Sequence, residues 1–278
     1  MSATFHIFGA GYCANRFFSL HPKRCVVYTR KKVTPSDLDT ELRLKNWNPE
    51  EILNSRKTAS IFLDEIKNYT SSTAVGASLN VVLITFPLSK LSQIHWETFL
   101  NEVELHQNSQ LKFIVLGSWG SLNVQHLINP LQNSHFNSDD LRNERELRLV
   151  KAGASRLLLA GIHGPNRNPM TWLKKGLISL KKVSVNLIHV DDIISLCLHL
   201  AKRADNSKLE FGIDYILCDG KLHLWTDIES KAHELEFLDD QFQRKNIPIK
   251  RPDRDVDFDA FKVYFDNLEW SPSQFDYL

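Results

Sequence analysis

A glycine-rich turn near the start of the chain constrains the fold more than any other feature. The apolar run of residues 4–8 breaks into the pattern Gly-x-Gly-x-x-Ala, formed by Gly9, Gly11 and Ala14, and residues 15–20 then favour a helix. In a strand-turn-helix unit, the first glycine permits the tight turn, the second lets the backbone approach a pyrophosphate, and the alanine allows close packing of helix and strand. The helix dipole attracts the anion. The alternative is a glycine turn that binds nothing.

A basic strand end follows this unit. Residues 25–29 predict a second buried strand, and Arg30, Lys31 and Lys32 come directly after it. A site that prefers NAD usually carries an acidic residue here, which accepts hydrogen bonds from the ribose 2′-hydroxyl. Cations suit the 2′-phosphate of NADP instead. We therefore predict a site for NADP in preference to NAD, with Arg30 and Lys31 at the phosphate and Lys32 in a solvated loop. Tyr12 and Cys13, beside Gly11, complete the predicted turn contacts.

Composition narrows the class of protein. The chain has 278 residues, of which 42% are hydrophobic, so it can bury a full core in one large or two closely packed domains. Its formal net charge of +1 argues against nucleic acid or an anionic membrane as the main partner. No apolar run has the length of a membrane span, and the first residues lack a signal-peptide pattern. The four cysteines are scattered without metal-ligand spacing, which favours a cytoplasmic protein with reduced thiols and no bound metal.

Predicted strands and helices alternate through the first two thirds of the chain. This alternation indicates an α/β fold, a Rossmann-type doubly wound parallel sheet with a small C-terminal substrate-side domain. We expect an NADP-binding domain over residues 1–165 and a smaller domain over residues 166–278, with a segment near 213–218 returning to the sheet. Further strands are predicted at residues 58–63, 80–86, 111–116 and 155–160, and helices at residues 94–105 and 139–153, the last one ending at Gly153.

Three later segments strengthen this interpretation. Residues 161–165 read Gly-Ile-His-Gly-Pro, residues 188–192 read Ile-His-Val-Asp-Asp, and residues 267–272 read Asn-Leu-Glu-Trp-Ser-Pro. With the glycine pattern, and in this order, they resemble the extended short-chain dehydrogenase/reductases, most of all the atypical members described as NAD-dependent epimerase/dehydratase-like or nucleoside-diphosphate-sugar epimerase-like. The resemblance implies a nicotinamide cofactor that passes over Phe86 and Pro87. It also implies a homodimer and a small-molecule substrate, either a nucleotide sugar or another carbonyl or alcohol.

The catalytic pattern of that family is missing. The family uses a Tyr-x-x-x-Lys pair, in which the tyrosine transfers the proton. Matching the helix of residues 139–153 to this pattern brings Ser138 to the tyrosine position and Arg142 to the lysine position. Arg142 is a poor proton carrier, but it can contact the nicotinamide ribose or a phosphate. The literal match that begins at Tyr28 lies at the end of the second strand, away from the catalytic position. Glu144 and Arg145 are assigned to a solvated helix face.

Two residues are candidates for the proton-transfer role. Ser118 lies where the family places a serine or threonine at a strand end, although a turn serine is an equal alternative. His163 replaces the usual tyrosine of its segment and titrates near neutral pH, although a structural hydrogen bond is the alternative. Asn186 and Trp119 are candidate substrate contacts, with an aromatic core as the alternative for Trp119.

The sequence therefore favours an NADP-dependent oxidoreductase or sugar-nucleotide epimerase/dehydratase-like enzyme. The competing hypothesis is a non-catalytic NADP(H)-sensing or scaffold protein.

Overall fold

A computed structural model describes residues 3–29, 44–69, 79–106, 111–119, 126–127, 140–203, 213–245 and 255–256. The strands are β1 (Ala3–Phe8), β2 (Cys25–Thr29), β3 (Leu44–Asn46), β4 (Leu79–Ile84), β5 (Leu111–Ser118), β6 (His126–Leu127), β7 (Ser155–Leu159), β8 (Gly161–His163), β9 (Ser184–His189), β10 (Asp214–Leu217), β11 (Leu222–Leu224) and β12 (Asp255–Val256). The helices are α1 (Tyr12–Leu20), α2 (Pro49–Ile52), α3 (Arg56–Lys67), α4 (Gln93–His106), α5 (Leu141–Lys151), α6 (Pro169–Lys174), α7 (Val190–Arg203) and α8 (Trp225–Glu234).

Seven strands form one sheet in the order β10-β7-β5-β4-β1-β2-β3. The four pairings among β1 to β5 are parallel. The Arg156 N–H donates to the Ile213 carbonyl and the Ala160 N–H to the Leu217 carbonyl, so β7 and β10 also run parallel. The strand order reverses between β1 and β4, which is the switch point of a doubly wound sheet, where ligands bind at the carboxyl ends of the strands. The predicted Rossmann-type fold class is confirmed.

The inner strands of the sheet are mostly apolar because helices cover both of its faces. All residues of β1 and of β2 are buried, as are the last five residues of β4. Helix α5 ends as the sequence predicted. Gly153 follows it with φ +93° and donates its N–H to the Val150 carbonyl. A residue without a Cβ adopts this left-handed conformation at little cost.

The strand predicted at residues 58–63 is wrong, because this segment lies inside helix α3. The Ser55 hydroxyl caps the helix by accepting a hydrogen bond from the Thr58 N–H at 3.3 Å. The buried side chains Ala59, Leu63 and Ile66 recur at intervals of four and three, which is the helical period. The short apolar run had the composition of a strand, but its neighbours extend it into a helix. The next strand along the chain after β2 is instead β3, which pairs with β2.

The chain divides into two compact units, each made of separated segments. The first contains residues 1–117, 137–158 and 194–215, and the second contains residues 118–136, 159–193 and 216–278. The second unit has a sheet of order β11-β9-β8 and an apolar core of its own, formed by Met170, Leu173, Trp225, Ile228, Ala232 and Leu238. The domain boundary near residue 165 stays a prediction. No helix in the described ranges is long and apolar enough to cross a membrane.

Candidate functional site

The glycine turn after β1 has a conformation that only glycine fits. Gly9 has φ +106°, and its N–H donates to the Tyr28 carbonyl at 2.9 Å. A Cβ at Gly9 would lie 2.7 Å from Oγ1 of Thr85. That hydroxyl donates to the carbonyl oxygens of Phe8 and Gly9, at 3.0 Å each. The turn is therefore held from both sides, by the end of β2 and by the end of β4, and the backbone conformation as well as the close approach excludes a side chain.

Gly11 is open where Gly9 is crowded. It is the N-cap of α1, and a Cβ placed on it would meet no atom within 4 Å. An anion above Gly11 would face the positive end of the helix dipole with no side chain in between. Ala14, one turn further on, is fully buried against the sheet. The open backbone at Gly11 has the form that the glycine spacing predicted, and the contact of Gly11, Tyr12 and Cys13 with a pyrophosphate stays a prediction.

The strand register defines one row of residues across the carboxyl edge of the sheet. Phe8 on β1 is paired with Tyr28 on β2 and with Ile84 on β4, and Ile84 is paired with Val115 on β5. The residues that follow these four lie along the same edge: Thr29, Gly9, Thr85 and Leu116. Any ligand that follows this edge from β2 to β5 therefore crosses the glycine turn.

A cavity of about 240 Å³ opens at the β2 side of this row. Trp47 and Phe86 form an aromatic wall, with ring centroids 5.1 Å apart. The Trp47 backbone is fixed by its N–H, which donates to the Thr29 carbonyl at 2.9 Å. The other lining residues are Gly9, Ala10, Tyr28, Thr29 and the exposed Lys90. Flat aromatic faces suit a nucleobase, and the ammonium group of Lys90 adds a cation at this end.

Three residues that the sequence analysis named cannot be placed in the same way. Arg30 and Lys31, the predicted contacts of the 2′-phosphate, lie outside the described residues, as does Ser138. Phe86 does line the cavity, and Pro87 follows it in the turn after β4.

Tyr28, the literal match to the family's catalytic pattern, is a core residue. It is 1% exposed and stacks on Phe8 with ring centroids 4.5 Å apart. The Asn80 side-chain amide donates to two carbonyls, so its oxygen accepts from Nε2 of His6 at 3.2 Å. Nδ1 of His6 then accepts from the Tyr28 hydroxyl at 3.1 Å. Burial raises the pKa of Tyr28, so its hydroxyl keeps its proton and serves the core.

At the other end of the row, Arg142 is held against β5. Nε of its guanidinium donates to Oε1 of Glu146 at 2.6 Å, and Nη2 donates to the Leu116 carbonyl at 2.9 Å. Asp140 caps α5 by accepting from the Arg142 backbone N–H, which fixes the first turn of the helix. The Arg142 side chain keeps 26% of its surface exposed, whereas that of Glu146 is fully buried.

Glu146 also belongs to a buried ionic network that includes Arg156 and Asp214. Arg156 is fully buried, donates through Nε and Nη2 to the Asp214 carboxylate and through Nη1 to the Asn143 side chain, and lies 3.7 Å from Oε2 of Glu146. Burial raises the pKa of Glu146 above its ordinary value, against the opposite effect of Arg142 and Arg156. The 2.6 Å contact with Arg142 is the short, charge-assisted kind.

Gly117 makes room for this carboxylate. A Cβ at Gly117 would lie 2.8 Å from Oε2 of Glu146 and 3.0 Å from Cδ2 of Leu158. The absence of a side chain at this strand position therefore lets α5 bring Glu146 directly against β5. Sequence reasoning missed Gly117, Glu146 and Trp47. The available signal was the spacing of Arg142, Glu146 and Leu149, which places two charged residues on one helix face with a buried leucine.

Arg145 is not on a solvated face, and that expectation is wrong. It is 3% exposed, and its Nη1 donates to the carbonyls of Leu88 and Leu91 at 2.9 and 2.8 Å. These carbonyls belong to the turn after β4, so the guanidinium links α5 to that turn. The buried face of α5 is therefore wide and polar, which a hydrophobic pattern does not reveal.

The second unit holds His163 in a cluster of histidines. His163 is paired with His189 across β8 and β9, with ring centroids 5.0 Å apart. Burial, with smaller contributions from His189 and His223, lowers the pKa of His163 to about 4. With this low pKa the imidazole is a weak base, and it is neutral at pH 7. Nε2 of His223 lies 2.5 Å from the buried Asp219 carboxylate.

The remaining predicted residues lie on or directly after strands of the structure. Ser118 is the last residue of β5 and is half-buried, and Trp119 after it is 4% exposed. Asn186, on β9, is also half-buried, and its side-chain amide donates to the Lys221 carbonyl at 3.3 Å. Their predicted roles stay predictions.

Comparison with known proteins supports the fold. No family model matches the chain, and no curated protein matches it. A conserved protein of unknown function from Silicibacter pomeroyi is 17% identical, with a TM-score of 0.63 over 99% of this chain and 95% of that one. A dTDP-glucose 4,6-dehydratase from Bacillus anthracis, in complex with NAD, is 11% identical, with a TM-score of 0.66 over 98% and 92%. An L-threonine dehydrogenase from Phytophthora infestans is 9% identical, with a TM-score of 0.66 over 99% and 95%.

These likenesses define the class of fold. The chain has the Rossmann fold of these structures, a dTDP-glucose 4,6-dehydratase and an L-threonine dehydrogenase among them, over almost its whole length. At these identities the likeness establishes the fold, and activity has to be argued from the site.

Proposed function

We propose that this protein binds a nicotinamide dinucleotide, NADP in preference to NAD, at the carboxyl edge of its large sheet. The observation that carries the proposal is the turn at Gly9. It has a positive φ, lacks room for a Cβ and is held by Thr85 and β2, immediately before the open N-terminus of α1. A turn that only connected a strand to a helix would not require both a crowded and an open glycine at this spacing.

The neighbouring residues divide the work of binding. The backbone at Gly11 and Cys13 meets the pyrophosphate, and the adenine lies against the aromatic wall of Trp47 and Phe86. Arg30 and Lys31, at the end of β2, bind the 2′-phosphate. The absence of an acidic residue at this strand end is the reason for preferring NADP.

We further propose an oxidoreductase or epimerase-like activity on a small alcohol or carbonyl. The bound cofactor would supply hydride transfer, and the protein would orient it. The dTDP-glucose 4,6-dehydratase among the similar structures favours a nucleotide sugar as substrate. Ser118 is the favoured hydrogen-bonding partner of the reacting oxygen, because the low pKa of His163 makes its imidazole a weak base. The four cysteines, which all lie in the described part of the chain, form no disulfide with one another, and a reducing, cytoplasmic location is proposed on that basis.

One observation favours the non-catalytic alternative. The helix that carries the proton-transferring tyrosine in the family presents Arg142 and Glu146 here, and a guanidinium does not release its proton near neutral pH. A protein with this site that senses NADP(H) would bind the cofactor and change its own assembly or its affinity for a partner, without turnover.

Calorimetric titration with NADPH, NADP, NADH and NAD tests the cofactor proposal. We expect the tightest binding for NADP(H), and a shift of preference toward NAD(H) in Arg30→Asp. Lys23→Asp is the matched control, since it reverses an exposed charge in the turn after α1 and leaves the preference unchanged. If none of the four nucleotides binds the wild type, the glycine pattern is only a turn and the proposal fails.

A second experiment separates the enzyme from the sensor. Wild-type protein is mixed with NADP or NADPH and a panel of nucleotide sugars, alcohols and carbonyls, and the absorbance of reduced cofactor is followed. Turnover that falls in Ser118→Ala supports the enzyme. Tight NADP(H) binding without turnover, joined to a change in sedimentation on adding cofactor, supports the sensor.

A further inference from the structure

The guanidinium of Arg142 is fixed in place and still has donors to offer. Its Nε and Nη2 are engaged by Glu146 and by the Leu116 carbonyl. Among the residues that the structure describes, none bonds to Nη1, which carries two N–H groups, and the side chain is 26% exposed. Two hydrogen bonds to rigid partners leave this group little rotational freedom, so its remaining donors point in a defined direction.

This group lies on the same edge as the glycine turn. Leu116, whose carbonyl binds Arg142, follows Val115, and Val115 is in register with Ile84 and Phe8. Gly9 and Leu116 are therefore separated by two strand spacings, about 10 Å. A dinucleotide whose pyrophosphate lies at Gly11 and whose adenine lies toward β2 extends its other half toward β5, where Arg142 is held.

The charge around Arg142 is already compensated. Glu146 neutralises the guanidinium at 2.6 Å, and the Asp140 carboxylate lies at the start of the same helix, bonded to the Arg142 backbone. Arg156 is in turn balanced by Asp214. An additional anion would meet no net positive charge here. The free N–H groups are therefore suited to neutral oxygen acceptors, such as a pair of hydroxyls.

We propose that Glu146 is a positioning residue, which converts Arg142 into a fixed, charge-neutralised donor for the two hydroxyls of the nicotinamide-side ribose. This inference rests on the proposed dinucleotide function. The Arg142–Glu146 pair on α5 would then bind the cofactor without transferring a proton. Gly117 is part of the same arrangement, because only a residue without a Cβ lets the Glu146 carboxylate lie against β5.

The test compares a whole cofactor with its adenosine half. NADPH and 2′,5′-ADP, which lacks the nicotinamide and its ribose, are titrated into wild type, Glu146→Gln and Gly117→Ala. If the wild type prefers NADH, then NADH and ADP are used in the same way. We expect both variants to lose about threefold to tenfold in affinity for the dinucleotide, the loss of one or two hydrogen bonds, and to keep their affinity for the half molecule. Glu97→Gln, which removes an exposed carboxylate paired with Arg148, is the matched control and should change neither affinity.

Each other outcome is informative. A wild type that binds neither dinucleotide overturns the proposed function itself, and this inference with it. Wild-type binding with no effect of Glu146→Gln overturns the inference alone. Equal losses for the dinucleotide and its half also overturn it, since a general disturbance of the sheet would act on both. As a further check, Arg142→Met and the double variant Arg142→Met/Glu146→Gln should lose the same affinity, because Glu146 acts only through Arg142.

Discussion

The two ends of the carboxyl edge are built by different means. At β1 the geometry comes from the backbone: Gly9 adopts a positive φ, Gly11 leaves space, and Thr85 ties the turn to β4. At β5 the geometry comes from side chains: Arg142, Glu146 and Arg156 form a chain of opposite charges that fixes one guanidinium. A backbone site tolerates change in the surrounding side chains, whereas a buried ionic site depends on every member, because each charge left alone is costly.

The largest effect is expected from breaking the ionic end. Arg156→Met leaves Asp214 and Glu146 buried beside a neutral side chain, and we expect it to lower the free energy of unfolding by about 3–5 kcal/mol. Denaturant titration followed by circular dichroism measures it. The matched variant is Arg148→Met, whose pair with Glu97 is more than a third exposed, and it should cost less than about 1 kcal/mol. Similar losses in both variants would mean that burial does not distinguish the two pairs.

Acidification should destabilise the core beneath the glycine end. The pKa of His6 is lowered from 6.5 to about 4, mainly by burial, so the unfolded chain binds a proton there that the folded chain does not. The neutral His6 therefore contributes to the free energy of unfolding. This contribution is complete above pH 6.5 and is lost as the pH falls toward 4, by about 3 kcal/mol at most. His163, with a pKa also lowered to about 4, adds a loss of the same sign.

Stability measured from pH 7.5 to 4 tests this expectation. His6→Gln replaces the imidazole with an amide that can still form hydrogen bonds but does not titrate, so the stability of this variant should fall less over that interval than that of the wild type. His95→Gln, on the outer part of α4, is the control. A pH profile that His6→Gln leaves unchanged would exclude His6 as the cause.

The two glycines of the turn should respond differently to the same substitution. Gly9→Ala introduces a Cβ 2.7 Å from Oγ1 of Thr85 at a positive φ, and we expect a loss of about 1–3 kcal/mol in the free energy of unfolding. Gly11→Ala meets no atom of the protein, so it should cost less than about 1 kcal/mol. Both variants should bind NADPH more weakly, as measured by calorimetry. An unaltered NADPH affinity in Gly11→Ala would contradict the placement of the pyrophosphate.

The smallest effect is expected at the aromatic wall. Phe86→Leu keeps an apolar side chain but removes a ring next to Trp47, and we expect affinity to fall by about twofold to tenfold. The loss should be equal for NADPH and for 2′,5′-ADP, because both carry the adenine. This is the opposite of the selectivity expected for Glu146→Gln, so the two variants together assign each end of the edge to one half of the cofactor.

Much of the sheet could be predicted from residue patterns. The strands β1, β2, β4, β5 and β7 are buried and rich in apolar residues, as burial on both faces of a parallel sheet favours. The strand predicted at residues 58–63 was wrong because so short a run of mainly apolar and β-branched residues fits either period. Only the buried positions Ala59, Leu63 and Ile66 reveal the helical period. Tyr28 shows that a local match to a catalytic pattern can mislead, because its hydroxyl is hydrogen-bonded to His6 in the core.

The sequence by itself determined the turn at Gly9 and Gly11 and the alternation that makes the fold, because both depend on residues that are close together in the chain. Only the tertiary structure decided which charged residues form the β5 end. Glu146 requires the bare backbone of Gly117, and Arg156 meets Asp214 across 58 positions of sequence. Such pairings join side chains from separate strands and helices, and no periodicity records them, because ionic partners are selected by position in space after the strands and helices have packed.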